Sequence, residues 1–164
     1  MSTATKKAAA STRAKPINSR AKGANGECEF SRVVADHLGV ALVRNLEQSR
    51  QGGYDLMPVG ADPVSRELDR FAIEVKRYAA ITPAMLAGFW SQAEAQAARA
   101  QKIPALAIRA DREEWRVLLP LSALSGAFGD WPGIDWTATL SAPAFCALVR
   151  ESAASTNSTS EAAR

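Results

Sequence analysis

The sequence is poor in several residues that mark particular classes of protein. It has two cysteines, Cys28 and Cys146, and one histidine, and none of them has the spacing of a zinc site. Two cysteines do not make a disulfide framework, so a reducing cytoplasm is the expected compartment. No apolar run approaches the roughly 20 residues of a membrane span, and no secretory signal is expected near the start. The sequence therefore predicts neither a zinc site nor a membrane partner.

Acidic residues are missing from the first 22 residues, where six lysines and arginines lie. From Gly23 to Arg150 the chain has 13 basic and 15 acidic residues, so the net charge of +3 belongs to the N-terminal segment. Residues 1–21 have almost no large apolar side chain and are expected to form a disordered basic tail. Such a tail would either contact DNA phosphates or only keep the protein in solution. Residues 153–164 are expected to be a second disordered tail.

Hydrophobic periodicity and capping signals predict helices and strands in the order α-β-β-β-α-β-β. This order indicates an α/β sandwich in which helices flank a small mixed central sheet. The expected domain covers residues 22–120, and residues 121–152 are expected to pack on it as an extension. The predicted helices are 24–38, 83–100 and a short one ending near 152, and the predicted strands are 40–44, 54–59, 70–77, 103–109 and 115–119.

Three further expectations concern single residues and connections. Residues 60–69, which include glycine, proline and several charges, are expected to form an exposed connection, and residues 121–135 to be irregular. His37 lies on the apolar stripe of the first helix, which indicates a core histidine rather than a catalytic one. The exposed side of the second helix near Gln96, together with Trp131 and Trp136, is the expected interface with a second subunit, and the two tryptophans could instead cover the core.

The strand with the sequence Phe-Ala-Ile-Glu-Val-Lys organises the chain. Phe71, Ile73 and Val75 point to one face, whereas Glu74 and Lys76 share the other face, roughly 6.5–7 Å apart along the strand. Glu74 and Lys76 could form an ordinary surface pair, which would contribute little to stability, or they could belong to a functional site. The other acidic residues of the chain decide between these two interpretations.

Two more carboxylates are expected near this pair. Asp55 follows a Gly-Gly turn at the start of a strand, and Glu27 lies within the apolar stripe of the first helix. A carboxylate directed at a buried face is costly unless it has a partner such as a metal ion. Oxygen ligands of this kind, with water and phosphate, suit Mg²⁺. The sequence therefore predicts an acidic pocket built from Glu27, Asp55 and Glu74.

Five motifs in order resemble the PD-(D/E)xK nuclease superfamily, and in particular its archaeal-type Holliday junction resolvases. They are Lys-Gly-x-x-x-Glu at 22–27, the strand ending in Arg44, Asp-Leu at 55–56, Ile-Glu-Val-Lys at 73–76, and the strand from Ile103 followed by Trp115. The Gln-Ser-Arg-x-Gly-Gly-x-Asp loop is also similar to phage and bacterial nucleases. The resemblance covers residues 22–119.

The resemblance implies a restriction-endonuclease-like fold and a metal-dependent DNA endonuclease that uses Mg²⁺, with Mn²⁺ as a possible substitute. It implies metal binding by Asp55 and Glu74, with the backbone carbonyl of Val75 as a further ligand. Lys76 would hold the attacking water or stabilise the charge that develops on the phosphate. Glu27 would complete the metal site, directly or through water, and the DNA contacts would come from Lys22, Arg44, Arg50 and Gln92.

The partner implied by the resemblance is DNA, with four-way junctions as the narrower substrate and a homodimer as the possible assembly. Two alternatives stay open. One is a less structure-specific phage or restriction-like nuclease, and the other is a DNA-binding module on a nuclease fold that has lost catalysis. The complete set of Glu27, Asp55, Glu74 and Lys76 favours an enzyme over the second alternative.

Overall fold

The computed structural model describes residues 19–46 and 53–162, with side chains described for residues 25–46 and 53–156. Six strands form one mixed sheet with helices on both faces, so the predicted α/β sandwich is confirmed. Among the described residues, no helix is both long enough and apolar enough to cross a membrane. The elements in chain order are α1 (Ser19–Leu38), β1 (Leu42–Arg44), β2 (Leu56–Pro58), α2 (Pro63–Leu68), β3 (Phe71–Tyr78), α3 (Pro83–Ala100), β4 (Ile103–Ala110), β5 (Arg116–Pro120), β6 (Thr137–Ser141) and α4 (Ala142–Ala162).

The strands lie side by side in the order in which the chain makes them, from β1 to β6. Only β3 and β4 run parallel, because α3 carries the chain back to the same end of the sheet, and the other neighbours are antiparallel. Helices α1 and α4 cover one face of the sheet, whereas α3 covers the other. The central strand β3 is therefore buried between two helical layers.

The alternation predicted for β3 is confirmed. Phe71, Ile73 and Val75 belong to the main core beneath α1 and α4, where Phe71 meets the ring of Phe145 edge-on at 5.4 Å between centroids. Glu74 points to the opposite face, towards α3, and only 2% of its surface is exposed. One face of this strand thus anchors the core, and the other presents the charged residues.

Local signals define α3 as predicted. The Thr82 hydroxyl accepts a hydrogen bond from the Met85 amide at 3.3 Å, and Pro83 occupies the first turn, where its missing N–H is not needed. Gln101 ends the helix in the left-handed conformation, with φ at 53°. The helix therefore presents a fixed set of side chains to the sheet.

The prediction of an exposed connection over residues 60–69 was wrong. Asp62 caps a short helix, α2, by accepting hydrogen bonds from the amides of Val64 and Ser65 at 3.0 Å each, and Pro63 occupies its first position. Leu68 and Glu67 of this helix are buried. Asp62 and Pro63, whose residue types also occur in loops, are in fact the start signals of this helix.

The C-terminal part also differs from prediction. Strand β6 was not predicted, yet it pairs with β5 from Arg116↔Ser141 to Pro120↔Thr137 and completes the sheet. Helix α4 does not end near residue 152 but continues to Ala162, so a disordered tail over residues 153–164 was the wrong expectation for most of that segment. Helix α1 starts earlier than predicted, at Ser19, so residues 19–21 of the predicted disordered basic tail are helical, and residues 1–18 of that tail lie outside the described residues.

Two residues lie on the opposite side from the one predicted. His37 is exposed, so it is not a core histidine. Gln96 is 4% exposed and faces the sheet, which excludes it from the outer surface of α3. Trp131 and Trp136, by contrast, are 44% and 45% exposed, and their ring centroids lie 4.6 Å apart.

Candidate active site

The site lies where the pairing between β2 and β3 stops. The Asp55 amide donates to the carbonyl of Ile73 at 2.9 Å, and Leu56 opposes Ile73, which is the last residue of β3 paired with β2. Beyond it, the Asp55 carboxylate takes the place of a neighbouring strand and accepts a hydrogen bond from the Val75 amide at 2.8 Å. This gap in the sheet gives a buried strand one accessible edge.

Asp55 therefore lies just before β2 rather than within it, because this strand begins at Leu56 and not at residue 54 as the sequence predicted. Its position is nevertheless well defined, since its carbonyl also accepts a hydrogen bond from the Asn45 amide at 2.8 Å. The N–H and C=O of one residue in a strand point to the same side. The carbonyl of Val75 is thus directed to the side on which Asp55 lies.

Glu74 is the most deeply buried acid of the site. Its Oε1 accepts hydrogen bonds from Lys76 Nζ at 2.5 Å and from Gln92 Nε2 at 3.0 Å. Its Oε2 is buried and has no hydrogen-bond partner among the residues that the structure describes. Burying a carboxylate oxygen without a partner costs free energy, and a bound cation would remove this cost by coordinating the oxygen.

Lys76 lies between the acid and an aromatic ring. Its Nζ contacts Glu74, and it also lies 5.5 Å from the centroid of the Phe89 ring of α3. Only 17% of the lysine side chain is exposed. The ammonium group is therefore held at the mouth of the acidic pocket rather than extended into solvent.

Glu27 reaches the same region from α1. A Cβ added at the preceding residue, Gly26, would lie 3.0 Å from Cβ of Arg77, so the glycine permits α1 to approach β3 closely. The Glu27 carboxylate accepts a hydrogen bond from Nε of Arg44, which pairs with it as an ion pair. Glu27 is 9% exposed, whereas half of the Arg44 side chain, 48%, remains exposed.

Burial and mutual repulsion raise the pKa of two of these acids. Desolvation, and next to it the charge of Glu74, raises the pKa of Asp55 from 3.8 to about 7. Desolvation also raises the pKa of Glu27, with a contribution from Asp55, although Arg44 and Lys76 oppose this shift. Acids held in an unfavourable environment at a surface-accessible gap are typical of functional sites.

The donor set fits a hard divalent cation held by few protein ligands. No three histidine, cysteine, aspartate or glutamate side chains within the described ranges are close enough together to form a metal site by themselves. The oxygen ligands would come from Asp55, from the unpartnered Oε2 of Glu74 and from the carbonyl of Val75. Mg²⁺ keeps several waters and is commonly bound through one or two carboxylates. Glu27, engaged by Arg44, would act from outside this ligand set.

The other predicted DNA contacts are placed as follows. Gln92 is exposed and hydrogen-bonded to Glu74, and Arg44 stands at the edge of the pocket beside Glu27. Arg50 lies outside the described residues, and so does the side chain of Lys22, whose backbone is part of α1. Sequence reasoning missed Tyr78, although it continues the alternation of Glu74 and Lys76, and it also missed Phe89 of α3, whose ring lies beside Lys76.

The comparison with protein families decides the identity of this fold. A family model described as "Phage putative PDDEXK endonuclease" matches residues 18–137. The chain belongs to this family. Comparisons with curated proteins and with solved structures found no match.

The match shows the general activity and the fold of this PDDEXK endonuclease. The mixed six-stranded sheet flanked by helices is a restriction-endonuclease-like α/β fold. The family description is that of an endonuclease, a hydrolase for which DNA is the substrate. The matched range runs from the start of α1 to the first residue of β6, and it therefore includes Glu27, Asp55, Glu74 and Lys76.

Proposed function

We propose that this PDDEXK endonuclease is a Mg²⁺-dependent enzyme that cuts branched DNA, with a four-way junction as its substrate. The observation that carries the catalytic part is the buried, unpartnered Oε2 of Glu74 next to Asp55, whose pKa lies near 7. Two neighbouring buried carboxylates destabilise the protein when both are charged, and a bound cation would offset this repulsion. The resemblance of the five motifs to junction resolvases supports the branched substrate.

The proposed roles follow from the contacts. Bound Mg²⁺ would lower the pKa of a water molecule and neutralise phosphate oxygens. Lys76, already held at the mouth of the pocket by Glu74, would orient that water or stabilise the charge on the phosphate. Gln92 would keep the Glu74 carboxylate in position. Arg44 would exchange its contact with Glu27 for one with a phosphate next to the cleaved bond.

A panel of DNA substrates tests this function. Purified protein is incubated with a four-way junction, a duplex and a single strand of matched sequence, each with Mg²⁺, Mn²⁺ or EDTA. We expect cleavage with either metal ion and none with EDTA, and paired nicks in the junction. Cleavage in EDTA would contradict the metal site, and equal cutting of junction and duplex would favour a general phage or restriction-like nuclease. Binding without any cleavage would favour the DNA-binding module.

We also propose that the enzyme works as a homodimer, because the described part of one chain carries one acidic pocket and paired nicks require two. The candidate interface is the aromatic surface, defined as Phe128, Trp131 and Trp136, whose exposed fractions are 41–45%. A hydrogen bond of 2.8 Å from the Gly133 amide to Glu94 Oε1 ties this segment to α3 and keeps the surface in place. Exposed clusters of tryptophan are typical of protein interfaces.

The dimer is tested by light scattering at micromolar concentration. We expect the mass of two chains for the wild type and a shift towards one chain for Trp131→Ser. Val59→Ser, which changes an apolar residue of 50% exposure elsewhere, is the matched control and should leave the mass unchanged. A single-chain mass for the wild type, with and without a four-way junction, would contradict the dimer.

Because the substrate is DNA, the proposed place of action is the cytoplasm of a bacterial or phage-infected cell.

A further inference from the structure

An aromatic pair continues the catalytic row of β3. Glu74, Lys76 and Tyr78 alternate along the strand and share the face that looks towards α3. Phe89, on α3, lies one turn before Gln92. The rings of Tyr78 and Phe89 stack with their centroids 5.1 Å apart and their planes 27° apart, and Phe89 also borders Lys76. The proposed catalytic lysine and this pair are therefore contiguous.

Tyr78 is not a core residue. It is 41% exposed, whereas Phe89 is partly buried against the cluster that contains Trp90 and Leu106. Since Phe89 covers one face of the tyrosine ring, the exposed area lies on the rest of that ring. A large aromatic side chain held open by a stacked neighbour is prepared to receive another flat group.

The spacing places this ring one strand step beyond the proposed catalytic lysine. Alternate residues of a strand repeat about every 6.5–7 Å, so Tyr78 stands one such step beyond Lys76 and two beyond Glu74. A phosphate bound at the acidic pocket would therefore have its own base, or that of the adjoining nucleotide, within reach of the tyrosine ring. Every base offers a flat face to an aromatic side chain, so this contact would not depend on sequence.

We propose that Tyr78, backed by Phe89, is a stacking platform for one unstacked nucleobase beside the cleaved phosphodiester bond. A base inside a continuous duplex is covered on both faces by its neighbours and cannot occupy the platform. The enzyme would thus select DNA in which a nucleotide at the cut site is unpaired or unstacked, as at a branch, bulge or single strand. This inference rests on the proposed function and specifies the substrate feature that the site recognises.

Binding measurements separate stacking from charge. The anisotropy of a labelled single strand is followed in Ca²⁺ buffer, together with a strand of equal length in which abasic residues replace the nucleotides. Tyr78→Leu keeps an apolar side chain but removes the ring, and we expect it to weaken binding of the natural strand roughly tenfold. Binding of the abasic strand, which retains every phosphate, should change less than twofold.

Two variants serve as controls. Tyr78→Phe retains the ring and should restore binding, and Val59→Ser removes an apolar side chain of 50% exposure outside both the site and the aromatic surface and should have no effect. Thermal unfolding checks that each variant is folded. Equal losses on natural and abasic strands, or no loss on either, would overturn the platform.

Cleavage provides the second readout. With Mg²⁺, the wild type should cut a duplex with a single-nucleotide bulge faster than the continuous duplex, and Tyr78→Leu should reduce that preference towards one. If the wild type cuts DNA but Tyr78→Leu leaves the preference unchanged, the platform fails and the proposed function stands. If the wild type binds bases through Tyr78 but cuts no DNA, the proposed catalysis fails and the platform stands.

Discussion

Replacing Asp55 with asparagine is expected to abolish DNA cleavage and, in the same molecule, to stabilise the metal-free protein. The amide keeps an oxygen that can accept the hydrogen bond from the Val75 amide, so the local backbone is retained. It removes a negative charge that cleavage needs for metal binding, and several kcal/mol lost from the transition state correspond to about 10³-fold or more in rate. Glu74→Gln should reduce cleavage similarly.

The gain in stability follows from the direction of the pKa shift. The pKa of Asp55 rises from 3.8 to about 7 on folding, so the folded protein holds a proton that the unfolded chain releases between these values. Metal-free protein should therefore lose stability as the pH rises from about 4 to about 7. Three pKa units set an upper limit of about 4 kcal/mol, and the partial exposure of Asp55 reduces this to about 1–3 kcal/mol. The raised pKa of Glu27 acts in the same direction.

Thermal unfolding in EDTA at pH 5 and pH 8 measures this effect. We expect the wild type to be less stable at pH 8, and Asp55→Asn to be more stable than the wild type there and less sensitive to pH. Mg²⁺ should stabilise the wild type at pH 8 more than at pH 5, because the cation competes with the proton. Asp36→Asn, an exposed carboxylate on α1, is the control and should change neither activity nor stability. Cleavage by Asp55→Asn within a few-fold of the wild type would refute the assignment of the site.

Replacing Lys76 with methionine should lower the rate of cleavage by about 10²–10³-fold, the usual effect of removing a group that stabilises charge in a transition state. Methionine fills similar space but cannot orient water or neutralise a phosphate. In the metal-free protein it would also leave Glu74 Oε1 with only the hydrogen bond from Gln92. Single-turnover rates at saturating DNA measure the chemical step without the contribution of binding.

The chain offers a closely matched control in Lys102. Its side chain is also 17% exposed, forms an ion pair of 2.6 Å with Asp69 and lies 5.0 Å from the centroid of the Tyr54 ring. Lys102→Met therefore removes a lysine with the same burial and the same kinds of contact, but not the one beside Glu74. We expect its cleavage rate to stay within a few-fold of the wild type. Equal effects of both substitutions would mean that Lys76 acts through stability alone.

Strong local patterns explain which elements the sequence could predict. Strand β3 has a strict alternation between core and charged residues, and α3 begins at a Thr-Pro signal, so both were located within one residue. Helix α2 was missed because its signals, Asp62 and Pro63, follow a glycine and are also typical of turns. Strand β6 is half polar, and only its pairing with β5 makes it a strand.

The site was predictable to the extent that it depends on spacing along single elements. Glu74 and Lys76 share a face because of the period of a strand, and the hydrogen bond from Gln92 depends on how α3 is placed over that face. The ion pair between Glu27 and Arg44 joins two elements that no local pattern relates. Gln96 was assigned to the wrong side because an alanine-rich helix has a weakly defined apolar face.

The order of the strands has a consequence for folding during synthesis on the ribosome. Because the sheet is laid down in chain order, every residue of the candidate site has been synthesised once α3 is complete at Ala100. The opposite face of β3, which carries Phe71, is covered only after Phe145 and Val149 of α4 have been synthesised. At bacterial or eukaryotic rates of translation this delay lasts roughly 2–10 seconds. During that time a nascent chain exposes Phe71 and its apolar neighbours, and it is a natural client for chaperones that bind such segments.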